Sequence, residues 1–128
     1  MLIHVKDLAA DVLNYVVAKC EGEDYRSTTE YDGIGLEYPP HNYSNDWGQS
    51  GPIIARKHIR WNRSGGQYYA WIGGHEYIDP LHESIQDGVD PIKWYAFQFG
   101  NTILEACLRC YVQTVHGDHV DVPSANIP

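Results

Sequence analysis

The chain has 128 residues, 43% of them hydrophobic and 12% aromatic, which predicts one domain over residues 1–128 and argues against disorder. Its net charge of −8 predicts that the protein does not bind nucleic acid directly. No apolar run approaches the ~20 residues of a membrane helix, and no signal peptide is recognisable. We therefore expect a cytoplasmic protein that does not contact a membrane.

The N-terminal part of the chain predicts a strand followed by a helix. Apolar and polar residues alternate over Leu2–Lys6, which is typical of a short strand. Asp7 is the predicted N-cap of a helix over Leu8–Cys20, where apolar residues recur at helical spacing, and Gly22 is the predicted end. Residues 25–38 predict one or two weak strands.

The central part predicts an irregular segment and a hairpin. Tyr43–Ile54 reads YSNDWGQSGPII, a turn-forming composition with a tryptophan in its middle. One helical turn is predicted over Pro52–Lys57, because proline is favoured at a first helical position. The segments His58–Arg63 and Gln67–Ile72 predict two strands joined at Ser64–Gly66.

The C-terminal part predicts a loop, a helix and a short strand. Residues 73–91 are polar and contain several glycines and prolines, which favours a long loop. Asn101 is the predicted N-cap of a helix over Thr102–His116. Val120 and Val122 alternate with polar residues and predict an edge strand. We therefore expect an α+β fold: a small antiparallel sheet with an N-terminal and a C-terminal helix packed on it.

One set of cysteines and histidines has a composition that zinc accepts. Cys107 and Cys110 are followed by His116 and His119, which gives four possible ligands within thirteen residues. The cysteines also belong to the apolar stripe of the predicted helix, where they behave as small core residues. The core interpretation is favoured, and we expect neither a metal site nor a cofactor.

Two histidine–glutamate pairs could support acid–base catalysis. His75 and Glu76 precede His82 and Glu83 in a polar segment, without the spacing that places two imidazoles on one helix face. The chain also lacks a nucleophile elbow and a phosphate-binding glycine motif. We therefore favour a protein that is not an enzyme and keep a small hydrolase using these residues as an alternative.

A basic and aromatic segment runs against the overall charge. It contains Arg56, Lys57, Arg60 and Arg63, with Trp61 among them. Basic groups beside an aromatic ring suit a phosphate and a base. The alternative is a solvated strand face whose charges keep the protein soluble.

Four blocks of the sequence, YVVAKCEG, YSNDWGQSGPII, ACLRCYV and HGDHVDVP, resemble the NinX-type family of small phage proteins of unknown function. The resemblance implies a phage or prophage setting and supplies no reaction. The proline of the family's central block is missing, and Ser50-Gly51 stands where the family has a glycine pair. The family's Gly-Pro-Thr-Pro before the last helix is replaced by Phe99–Thr102. Residues 75–97 are longer than in the family, so no function located there is carried over.

The central block allows two interpretations of Trp47. In one, the indole fills the core and Asp46 caps a turn. In the other, which we favour, Trp47 and Gln49 line a pocket whose floor is the bare backbone of Gly48–Gly51. The predicted ligand-binding residues are Tyr43, Asp46, Trp47, Gln49, Gly51, Arg56 and Arg60.

These observations predict a non-enzymatic phage accessory protein that binds a small ligand, such as a nucleotide, or a host protein, and so counters host defence. The many Tyr and Trp residues predict a homo-oligomer. The acidic charge leaves a second alternative open, a protein–protein inhibitor of a host nucleic-acid enzyme.

Overall fold

The computed structural model of the protein describes residues 1–22, 42–73 and 94–122. In chain order the elements are β1 (Leu2–His4), a 3₁₀ turn (Val5–Asp7), α1 (Ala10–Cys20), a 3₁₀ turn (Tyr43–Asn45), α2 (Trp47–Arg56), β2 (Arg60–Ser64), β3 (Gln67–Gly73), β4 (Trp94–Gly100), α3 (Ile103–His116) and β5 (His119–Asp121). These elements confirm the predicted α+β class. The weak strands predicted over 25–38, and all but the first residue of the predicted loop over 73–91, lie outside the described residues.

The strands form two antiparallel sheets. One has the order β2-β3-β4, and its register places Tyr68 opposite both Arg63 and Gly100. The other joins β1 to β5, with Ile3 opposite Val120, which confirms the strand predicted near the C-terminus. The strand β4 was not predicted, although tyrosine and phenylalanine alternate along it.

The core lies between the three-stranded sheet and the helices. The helix α3 packs on β3 and β4, while α1 and α2 pack against α3. Gly100 makes the contact between β4 and α3 possible, because a Cβ at this position would lie 2.5 Å from the backbone nitrogen of Ala106. The fully buried side chains include Leu13, Val17, Ile53, Cys107, Leu108 and Val112. No helix within the described ranges is both long and apolar enough to cross a membrane.

Both predicted N-caps are wrong, while the helices themselves are confirmed. Asp7 ends a 3₁₀ turn, and α1 begins later, after an extended Ala9. At α3 the cap is Thr102, one residue beyond Asn101, because the Thr102 hydroxyl accepts a hydrogen bond of 3.0 Å from the backbone N–H of Glu105. The residue with an oxygen near the N3 amide is the effective cap.

The largest difference from the sequence-based expectation is α2. Ten residues, from Trp47 to Arg56, are helical, and Pro52 lies in the middle of the helix instead of at its start. Asp46 caps it by accepting a hydrogen bond of 2.8 Å from the N–H of Gly48. Glycine and proline disfavour a helix, so its stability comes from packing: Ser50 and Ile53 are buried against the core.

Candidate functional site

A pocket of about 410 Å³ opens where the N-terminal ends of α2 and α3 meet the start of β3. It is lined by Ser44, Asn45, Trp47, Tyr68, Asn101, Thr102, Ile103 and Leu104. These residues come from segments far apart in the chain, and the fold brings them together.

Trp47 is an exposed aromatic residue, at 49%. The core positions of the same segment are instead taken by Tyr43, which is 5% exposed, and by Ser50 and Ile53. Trp47 is therefore not a core plug. Its indole is held at the start of a helix and lines the pocket.

A buried asparagine fixes the turn that leads to Trp47. Asn14 of α1 is 3% exposed; its amide nitrogen donates to the side-chain oxygen of Asn42 at 2.9 Å. Its side-chain oxygen accepts from the backbone N–H of Ser44 at 2.8 Å. Ser50 adds a hydrogen bond from its hydroxyl to the carbonyl of Tyr43. This wall of the pocket is thus preformed by contacts with α1 and α2.

The opposite wall is the first turn of α3. The Thr102 hydroxyl and carbonyl accept from the N–H groups of Glu105 and Ala106, and the Glu105 carboxylate accepts from the N–H of Asn101 at 3.0 Å. Within the described ranges, the N–H groups of Ile103 and Leu104 have no acceptor. Free donors at a helix N-terminus carry partial positive charge toward the space in front of the helix.

Ser44 adds a polar atom to this region. Its hydroxyl oxygen is buried and has no hydrogen-bond partner in the part of the chain that the structure describes. A buried hydroxyl without a partner costs free energy. Because this oxygen is not accessible from the pocket, other atoms of Ser44 form the lining.

Arg56 lies at the other end of α2, away from the pocket. Its guanidinium pairs with the Glu21 carboxylate at 2.6 Å, and the Tyr111 hydroxyl donates to the same carboxylate oxygen. Burial favours a higher pKa of Glu21, but the hydrogen bonds from Tyr111 and Arg56 and the charges of Arg56 and Lys57 outweigh it and lower this pKa. Arg56 is therefore held in a polar cluster with Glu21 and Tyr111, although its own side chain is 52% exposed.

Three other predicted site residues also lie away from the pocket lining. Arg60 faces the side of the sheet that carries Tyr69, because its position alternates with those of Trp61 and Arg63. Gln49 is half-buried, and its side-chain oxygen has no partner among residues 1–22, 42–73 and 94–122. Gly51 lies inside α2.

The prediction that the backbone of Gly48–Gly51 is bare and open to a ligand is wrong. The N–H of Gly48 bonds to the Asp46 carboxylate, and the N–H groups of Gln49 and Ser50 bond to the Asp46 carbonyl. Gly51 comes later in the same helix, where amides follow the helical hydrogen-bond pattern. Of the seven predicted residues, only Trp47 lines the pocket; Asp46 and Tyr43 shape the segment that holds it.

Sequence reasoning missed pocket residues at the start of α3 and on the hairpin. Tyr68 lines the pocket, and its ring centroid lies 6.4 Å from that of Trp61, which is 43% exposed. The guanidinium carbon of Arg63 lies 6.0 Å from the centre of the Tyr68 ring. The predicted hairpin, with its connection at Ser64–Gly66, would place Arg63 opposite Gln67. In the structure Ser64 itself pairs with Gln67, so Arg63 stands opposite Tyr68.

Among the described residues, the cysteines and histidines considered as zinc ligands do not form a comparable site. Cys107 and Cys110 are fully buried in the core face of α3, and burial raises the pKa of the Cys107 thiol to about 12. His119 packs against His4, with ring centroids 4.2 Å apart. No group of three potential metal ligands occurs among the residues that the structure describes. The two histidine–glutamate pairs of residues 75–83 lie outside them.

Comparison with known families gives a match to the family described as Bacteriophage P22, NinX, over residues 4–114. The match includes every residue of the pocket lining, and it ends before the last of the four sequence blocks, HGDHVDVP. A search of curated proteins finds no relative that matches the chain. Because the match spans most of the 128 residues, the chain belongs to the Bacteriophage P22 NinX family.

Proposed function

We propose that this phage-family protein binds a small planar ligand of the nucleotide type in the pocket between α2 and α3. The observation that carries the proposal is the half-exposed indole of Trp47, which lines the same pocket as the ring of Tyr68. A large aromatic side chain held at the surface by a rigid helix start is a ready surface for stacking. Stacking on an aromatic residue contributes about 1–3 kcal/mol per base and accepts every base.

The size and polarity of the pocket fit such a ligand. Its volume of about 410 Å³ is typical of small-molecule sites. Asn45, Asn101 and Thr102 place amide and hydroxyl groups on the lining beside the two rings. Planar apolar surface with a few polar groups at its edge is the combination that a nucleobase requires.

The chemistry of the lining favours binding over catalysis. The described residues that line the pocket include no histidine, cysteine, carboxylate, lysine or arginine. General acid–base and nucleophilic catalysis use these groups most often. The protein would therefore hold its ligand without changing it.

Membership of a phage family suggests what such binding achieves. A protein that binds without reacting acts by lowering the free concentration of its ligand. In an infected bacterium, a nucleotide-like signal of host defence is a ligand whose removal benefits the phage. We therefore propose sequestration of such a signal as the biological role.

Calorimetry with nucleosides and nucleotides tests the site. Trp47→Ala is expected to lower affinity at least about tenfold, because it removes the stacking surface. Phe99→Ala is the matched control, since Phe99 is 39% exposed and lies outside the pocket lining. Equal affinities of the two variants, or no binding by the wild type, would contradict the site.

A second experiment identifies the natural ligand. The wild-type protein and Trp47→Ala are purified from phage-infected cells, and the released small molecules are compared by mass spectrometry. A compound present only in the wild-type sample is the expected result. Identical profiles at background level would count against sequestration.

A further inference from the structure

We infer that the ligand of this pocket carries a phosphate group and that Arg63 binds it; this inference rests on the proposed function. The first observation is the position of Arg63 in the sheet. Arg63, Tyr68 and Gly100 stand directly opposite one another across β2, β3 and β4. Gly100 is followed by Asn101, the first pocket residue on that side.

These three opposite positions connect Arg63 with the pocket. Directly opposite residues point to the same face of a sheet, so Arg63 and Tyr68 share one face. Neighbouring strands are about 4.8 Å apart, which is within the reach of an arginine side chain. Arg63 therefore stands at the rim of the pocket, next to the Tyr68 ring.

The side chain of Arg63 is already oriented. Its guanidinium carbon lies 6.0 Å from the centre of the Tyr68 ring, and its Nε donates to the carbonyl of Gly65 at 3.3 Å. Its two terminal nitrogens have no partner within residues 1–22, 42–73 and 94–122. Two free N–H groups in one plane are the donor pair that matches two phosphate oxygens.

The other described cations are placed elsewhere. Arg56 pairs with Glu21, and the ammonium of Lys57 lies 5.7 Å from the centre of the Tyr111 ring. Arg109 donates to the carbonyls of Leu8 and Phe99. Lys6 follows β1, Lys19 lies over the ring of Tyr15, and Arg60 is on the opposite face of the sheet.

The helix start on the other side of the pocket adds partial positive charge, and the Glu105 carboxylate of its first turn is paired with Arg109 at 3.2 Å. The free N–H groups of Ile103 and Leu104 at the start of α3 carry partial positive charge toward the pocket. An anionic group between Arg63 and this helix start would be stabilised from two directions. This arrangement stands out in a chain whose net charge is −8.

Matched pairs of ligands test the inference by calorimetry: adenosine with AMP, guanosine with GMP, cytidine with CMP and uridine with UMP. The wild type is expected to bind the preferred monophosphate on the order of tenfold more tightly than its nucleoside. Arg63→Gln should remove this preference and leave the affinity for the nucleoside within about twofold. Arg60→Gln, on the other face of the same strand, should retain it.

The outcomes separate the two proposals. Equal affinity for nucleoside and monophosphate, unchanged in Arg63→Gln, would overturn the phosphate contact while the planar-ligand site stands. Inorganic phosphate alone is a further probe. If the wild type bound phosphate, Arg63→Gln did not, and neither bound nucleosides, the anion contact would be supported and the planar ligand overturned. Binding of neither probe would overturn both.

Discussion

The two ends of α2 illustrate two ways of using polar and aromatic groups. At its C-terminal end, Arg56 pairs with Glu21, and Tyr111 donates to the same carboxylate, so three groups satisfy one another. At its N-terminal end, Trp47 is half exposed beside a pocket. The first end joins the helices to one another; the second leaves a surface available to a partner.

The same difference applies within the basic and aromatic segment, whose arginines look equivalent in the sequence. Arg56 and Arg63 are seven residues apart and chemically identical, and either could serve a phosphate site. Arg56 is held by Glu21, whereas Arg63 stands beside Tyr68 and neither of its terminal nitrogens has a partner within the part of the chain that the structure describes. Satisfaction of a group by the protein itself is the criterion that separates scaffold from candidate site.

The strongest test of the comparison is Tyr43→Ala measured beside Trp47→Ala. Tyr43 is 5% exposed and part of the core, so its truncation should lower the free energy of unfolding by about 4 kcal/mol. Trp47, which is 49% exposed, should lose about 1 kcal/mol or less. Urea denaturation measures both. If Trp47→Ala proved as costly as Tyr43→Ala, the indole would be scaffold.

Gly100→Ala tests the close contact at the edge of the pocket. The new Cβ would lie 2.5 Å from the backbone nitrogen of Ala106, so β4 and α3 must move apart, at a cost of about 3 kcal/mol. Gly66→Ala is the control, because nothing lies within 4 Å of a Cβ at that position. Equal melting temperatures of the two variants would show that the β4–α3 contact tolerates a side chain.

Much of this fold could be predicted from the sequence because its signals are local. Periodic apolar residues indicated α1 and α3, and the alternation around Gly65 indicated the hairpin. The helix α2 could not be predicted, because Gly48, Gly51 and Pro52 disfavour a helix and only burial of its other face offsets them.

The site was predictable only in part, for a related reason. Trp47 was conspicuous as an aromatic residue among turn-forming residues. Tyr68 and Thr102 carried no such mark, since a strand tyrosine and a helix-capping threonine are ordinary residues in isolation. Their common location depends on the packing of α3 against β3, a tertiary contact that no local pattern encodes.

Glu21→Gln tests the polar cluster at the C-terminal end of α2. The carboxylate accepts from Arg56 and Tyr111, so neutralising it should cost about 1–2 kcal/mol at neutral pH. Because folding lowers the pKa of Glu21, its stabilisation is fully present above the ordinary carboxyl pKa of about 4.3. It is lost as the pH falls through the lower folded value.

The difference in unfolding free energy between wild type and Glu21→Gln should therefore be constant near neutrality and shrink at acidic pH. Denaturation at a series of pH values measures it. If this difference in unfolding free energy grew on acidification, the stabilising role of the Glu21 carboxylate would be contradicted. Binding of nucleosides at neutral pH should be the same in both proteins, since Glu21 does not line the pocket.

The smallest expected effect is that of Gly51→Ala, and it addresses the backbone of α2 directly. Were the glycines present to let a ligand approach bare amides, a methyl group at Gly51 would abolish binding. In the structure Gly51 is inside a helix, and nothing lies within 4 Å of a Cβ there. Alanine favours a helix over glycine by about 0.5–1 kcal/mol, but Pro52 follows directly and disfavours the helical region for a residue with a Cβ, so Gly51→Ala should be about as stable as the wild type. Its affinity for the ligand should be unchanged, because the proposed binding surface is the Trp47 side chain and the start of α3. Thermal denaturation and calorimetry check both expectations on one variant, and unchanged stability accompanied by loss of binding would assign the site to the backbone of Gly48–Gly51.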